Sequence, residues 1–155
     1  MKKVYIGVIA ALSISILLFG CSSKEKEMKE DVNLGFDQAK KVEVSSVNHP
    51  DVVVNTIDKQ QDINTFINKL KVDKWNASEI PADAKKENVY KMYQEGTVKL
   101  GESSNKGKKD LKQVAAVTTY KGIPYIDVEI KNLNLQLKVP NDVSEYLSSQ
   151  NQQKH

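Results

Sequence analysis

The chain of 155 residues contains no arginine: all 23 of its basic residues are lysine. The guanidinium fork is the usual reader of phosphate and guanine edges, whereas lysine supplies only a point charge, so nucleic acid is not an expected partner. There is one cysteine, Cys21, and there are two histidines, His49 in an Asn-His-Pro-Asp turn and His155 at the last position. A chain so short of thiol and imidazole cannot write the usual zinc-ligand spacings and offers very few candidates for a nucleophile and base, and no disulfide can form within it. Its seven glycines are scattered, which leaves no Gly-rich phosphate loop. No metal and no cofactor is expected, and the chain is not expected to be an enzyme.

What the chain does have is a sharp boundary near its start. Met1-Lys2-Lys3 is basic, Val4 to Phe19 is a run of sixteen uncharged, mostly apolar residues, and Cys21 lies where that run meets a charged stretch. A stable bilayer-spanning helix takes about 20 apolar residues, so the run suits a cleavable signal core better than a permanent span. An uncleaved anchor helix is the competing reading.

Leu18-Phe19-Gly20-Cys21 resembles the lipobox of bacterial lipoproteins, with Phe19 standing where a small or aliphatic residue is usual. The resemblance implies that Leu18, Phe19 and Gly20 form the signal-peptidase recognition sequence, that residues 1–20 are removed, and that Cys21 carries a diacylglyceryl thioether. The chemistry needs a thiol as nucleophile and a small residue before it. Two acyl chains, at about 0.8 kcal/mol per buried methylene, suffice for stable anchoring. Lipidation also accounts for an otherwise odd unpaired thiol in an exported protein. Loss of Lys2 and Lys3 leaves 21 lysines against 20 acidic residues, so attachment to the outer face of the cell membrane would rest on the lipid alone.

Residues 21–39 read as a flexible tether of alternating charge, with a root-mean-square span of roughly 20 to 25 Å. A short helix is the alternative, since Glu25/Lys29 and Lys26/Glu30 are i,i+4 pairs. Residues 40–148 form one domain of α+β class, mainly antiparallel sheet with one amphipathic helix packed on one face and a short C-terminal helix, and 149–155 is a polar tail.

Within the domain, Lys41–Val47 and Val52–Ile57 alternate as strands. Asp58-Lys-Gln-Gln61 has capping-box spacing, and Ile63, Phe66, Ile67 and Leu70 fall on one face of the helix that follows. Residues 72–88 read as a loop. Val89–Gln94 and Thr97–Leu100 suggest a hairpin over Glu95-Gly96, and Leu111–Tyr120 a further strand. In the last hairpin a turn at Lys131-Asn132 pairs 130 with 133, 128 with 135 and 126 with 137, which brings every apolar residue to one side.

Candidate binding residues are few. Lys106, Lys108 and Lys109 crowd a polar loop that could attract anionic headgroups or wall polymers. Trp75, with Tyr90, Tyr93, Tyr120 and Tyr125, offers aromatic surface for a partner, core packing being the plainer reading for Trp75 and Tyr90. Asp127 and Glu129 share one strand face as an acid/base candidate, with solvated charges as the plainer reading.

The run Thr56-Ile-Asp-Lys-Gln-Gln-Asp-Ile-Asn-Thr-Phe-Ile67 is similar to the middle of small Gram-positive lipoproteins of unassigned function, in which a strand end leads into a helix packed on a sheet. Expected partners are therefore the membrane, through lipid on Cys21, and a protein or cell-envelope component. A substrate-binding lipoprotein serving a transporter, and an envelope hydrolase using Asp127 and Glu129, are the alternatives.

Overall fold

The computed structural model describes residues 34–96 and 110–152. Seven strands, β1 (Lys41–Ser46), β2 (His49–Ile57), β3 (Asn76–Ala77), β4 (Lys86–Glu95), β5 (Leu111–Tyr120), β6 (Tyr125–Ile130) and β7 (Leu133–Lys138), form one sheet in the order β2-β1-β4-β5-β6-β7-β3. Every pairing is antiparallel. Alternation along the strands sends Val42 and Val44, Tyr90 and Met92, Ala115 and Val117, Ile126 and Val128, and Leu137 to one side, where all are buried. Two helices, α1 (Gln60–Leu70) and α2 (Asn141–Ser149), cover that side with Ile63, Phe66, Leu70, Val143 and Leu147. The α+β class and the one-sided core follow from this pattern, because a sheet with one apolar face needs a single covering layer.

The last hairpin has the expected register: Ile130 opposes Leu133, Val128 opposes Leu135 and Ile126 opposes Leu137. A slip of one residue would turn the apolar set to solvent, so the alternation together with the two-residue turn fixes the pairing. The two-residue turn places Lys131 at φ 54°, a left-handed conformation more easily held by glycine.

Four local expectations are corrected. The Asn-His-Pro-Asp segment is not all turn: β2 already begins at His49, which opposes Ser46, so the turn is confined to Val47 and Asn48. The stretch Val89–Gln94 does not fold back on the next few residues. Lys41 opposes Tyr93 on one side, and Gln113 to Leu111 oppose Tyr93 to Glu95 on the other, so both edges of β4 are filled; 97–100 lie outside the described residues. The ten-residue β5 offers more cross-strand pairs than a four-residue strand could. Asp58 does not cap α1: the N-cap is Lys59, without a side-chain bond, and the first helical bond runs from the Ile63 N–H to the Lys59 carbonyl. Residues 72–88 are not all loop, since a 3-10 turn at Val72–Lys74, the short β3 and the start of β4 fall within them.

The packed unit also extends past both expected ends. Phe36 and Ala39, assigned to the tether, are buried; the Phe36 ring lies 6.0 Å from that of Trp75, and Gln94 donates from Nε2 to the Gly35 carbonyl. At the other end a 3-10 turn at Gln150–Gln152 follows α2. Asn151 donates to Oδ1 of the buried Asn88 at 2.8 Å, so this part of the polar tail satisfies a group in the domain.

Candidate binding groove

Of the residues singled out in the sequence, Leu18, Phe19, Gly20 and Cys21, and the lysines Lys106, Lys108 and Lys109, lie outside the described residues. Trp75 is corrected from a binding residue to a core residue. It is 2% exposed, and its indole N–H donates to the Leu70 carbonyl at 2.7 Å, which occupies the polar edge a surface tryptophan would offer a partner. Tyr90 is likewise internal. Its ring stacks on Phe66 at 5.7 Å, its hydroxyl donates to the Leu147 carbonyl, and burial pushes its pKa well up.

The helix-free face of the sheet carries two clusters of one design. Tyr93 donates its hydroxyl to Glu43 Oε2 at 2.7 Å, while Lys41 bonds Glu43 Oε1 at 2.7 Å and lies 4.5 Å from the centre of the Tyr93 ring. The Lys41 ammonium holds the Glu43 carboxyl below its usual range; partial burial and that carboxylate push the Tyr93 phenol up to about 12. In the second cluster Tyr120 donates to Asp127 Oδ2 at 2.6 Å and Lys86 approaches the same oxygen at 3.1 Å.

Asp127 is therefore not the solvated charge its strand position suggests. Its side chain is 13% exposed, Oδ2 accepts both donors, and Oδ1 is buried without a partner. Glu129, two residues along the same face and about 7 Å away along the strand, is exposed as expected. Asp127 and Glu129 thus have unlike surroundings, one held by a phenol and an ammonium, the other open to water.

A groove of about 380 Å³ lies on the helical side, between α1 and the last part of β2. Asn55, Thr56 and Ile57 form its strand wall. Asp62, Thr65 and Lys69 form the other, because spacings of three and four residues place them on one stripe of α1, and Asp58 joins them from just before the N-cap. Tyr146 and Gln150 close it from α2 and the turn beyond, where Asn55 donates to the Gln150 carbonyl at 3.4 Å.

The polar groups of this groove are mostly free. Among the described residues the side chains of Asp58, Lys59 and Asp62 carry no hydrogen bond or ion pair. The Lys69 ammonium lies 4.7 Å over the Tyr146 ring, which in turn is 6.0 Å from Phe66, and burial raises the Tyr146 pKa. The arrangement offers two carboxylates and the Lys59 ammonium toward the N-terminal end of α1 and a cation with an aromatic ring toward its C-terminal end. It suits a ligand that carries a positive group and hydrogen-bonding atoms, in a volume typical of ligand sites.

Sequence reasoning missed this groove. Its helical stripe is visible in the sequence but borders the solvated face, and its far wall comes from residues some eighty positions later, which periodicity cannot connect. No three His, Cys, Asp or Glu side chains among the described residues could hold a metal ion together. None of the described helices is long and apolar enough to cross a membrane. Compared with family models, with curated proteins and with solved structures, the chain matches none of them.

Proposed function

We propose that this chain is a lipid-anchored protein on the outer face of the cell membrane, that it works by binding rather than by covalent chemistry, and that the groove between α1 and β2 holds its partner. The lipobox-like Leu18-Phe19-Gly20-Cys21 supports the anchor. The groove supports the rest: it joins a concave shape to two carboxylates open to a ligand and a lysine stacked on Tyr146. The partner is a protein or another component of the cell envelope.

A photo-crosslinking side chain placed at Asp62, and as a control at Glu129 on the opposite face, tests this in membrane-bound protein. Crosslinks to a discrete envelope species from position 62 and none from 129 are expected. Equal crosslinking from both positions, or from 129 alone, would remove the groove from the account.

The volume of the groove also favours a second reading, a binding lipoprotein that presents a small solute to a transporter. A solute that raises the melting temperature in wild type, and not after Thr65→Arg fills the groove, would select that reading.

A further inference from the structure

Strand β2 ends the sheet, so one of its sides has no strand partner among the described residues. Unpaired edges are usually blunted by bulges or lysines. In β2 both register shifts lie before Asn55, where Ser45 opposes Val53 and Ser46 opposes His49. The end of the strand is regular, with Val44, Glu43 and Val42 opposing Asn55, Thr56 and Ile57 in turn, and it carries no charged side chain. Those same three residues form the strand wall of the groove. The irregular part of the strand lies upstream of the groove residues, and the regular end belongs to them.

An edge strand with a helix beside it is the setting in which an extended peptide adds as one more strand: backbone groups on the edge supply affinity and the flanking wall supplies selectivity. Here the flanking wall carries Asp58 and Asp62 beside Lys59, all three without a side-chain partner, while Lys69 is engaged by the Tyr146 ring. Two carboxylates against one ammonium leave this end of the groove net negative, and charge complementarity there favours a peptide with a cationic side chain. Val52 and Val53, 58% and 44% exposed just upstream on the same strand, give it apolar surface to cover. We infer that the groove binds an extended peptide segment, which pairs with the free edge of β2 at Asn55–Ile57 and directs a cationic side chain to Asp58 and Asp62. This rests on the reading of the groove as the binding site.

The test uses the lipid-free chain of residues 21–155 with Cys21→Ala, and heptapeptides selected on it from a random display library. Selected peptides should be enriched in lysine or arginine, and their binding should slow amide exchange across Val52–Ile57. Methylating backbone amides of one parity should abolish binding while the other parity is tolerated, because alternate amides of an added strand face the edge. Asp58→Asn with Asp62→Asn should weaken binding on the order of tenfold, and Asp62→Glu should preserve it. All these positions are exposed, so the variants are expected to fold.

Peptides that bind without slowing exchange in β2, or with no sensitivity to amide parity, would overturn the proposal. So would a concentration-dependent dimer whose formation slows the same amides while no peptide binds, since the edge would then belong to a second copy. Thr65→Arg separates the two levels. If it abolishes crosslinking from the groove in membranes while no peptide binds, the peptide inference fails alone; if crosslinking persists unchanged, the groove reading fails with it.

Discussion

Lys69 and Tyr146 meet at the seam between the two helices, the ammonium 4.7 Å over the phenol ring, and together they form the basic end of the groove. The same ring touches Phe66 in the core, so one side chain joins the groove wall to the packing beneath it. Tyr146→Ala is expected to cost about 2 kcal/mol, from the lost aromatic contact, the cation–π contact and the opened surface. The Tyr146 hydroxyl has no described partner, so Tyr146→Phe is expected to leave stability nearly unchanged. Urea denaturation of the two variants checks this, and equal losses would contradict it.

Trp75 is the only tryptophan, and its buried indole makes it a reporter of folding. Trp75→Phe removes volume and leaves the buried Leu70 carbonyl without its donor at the end of α1. A loss of about 2 to 3 kcal/mol is expected from the cavity and the orphaned acceptor together. In wild type the fluorescence should be blue-shifted and should move to the red in the same transition as the far-ultraviolet circular dichroism. A native spectrum like that of free tryptophan in water would contradict the placement.

The Tyr93–Glu43–Lys41 cluster predicts stability limits at both ends of the pH scale. The Tyr93 phenol is raised from 10.0 to about 12, so its contribution is fully present below pH 10 and is lost as pH rises toward 12, where the unfolded chain sheds a proton that the folded one keeps. Glu43 is depressed by the Lys41 ammonium, so its contribution is present above the ordinary carboxylate range and is lost as pH falls through the folded value. Tyr93→Phe should flatten the alkaline limb between pH 10 and 12. Melting temperatures of wild type and variant across that range provide the check, and an unchanged slope would contradict the assignment.

Lys131 occupies a left-handed conformation in the β6–β7 turn at φ 54°. Glycine removes the Cβ conflict there but also loosens the unfolded chain, so Lys131→Gly should stabilise by about 0.5 to 1 kcal/mol. A lowered melting temperature would show that the lysine side chain contributes something the geometry does not reveal.

The legible parts of this fold are those in which local pattern and tertiary role coincide. The β6–β7 register could be read because seven apolar residues alternate on both sides of a two-residue turn, leaving one pairing that brings them to the same face, where Ile126, Val128, Leu137 and Val139 are buried. The buried face of α1 could be read for the same reason. Pairings that depend on distant chain were not legible: β4 takes β1 and β5 as partners, and nothing near Glu95-Gly96 announces either. Asp127 shows the corresponding limit for sites. Alternation correctly assigns it to the face without helices, but its burial comes from Tyr120 and Lys86, which approach from other strands. The groove combines both difficulties, since Asp62 and Lys69 are local to α1 whereas Tyr146 and Gln150 are not.

The reading of this chain as a lipid-anchored surface protein is tested most directly by intact mass and detergent partitioning of the native protein beside a Cys21→Ala form. A wild-type chain that begins at Cys21, carries the mass of a diacylglyceryl group and enters the detergent phase, with a variant that does neither, is the predicted result. A wild-type chain that retains residues 1–20 and bears no lipid would contradict it.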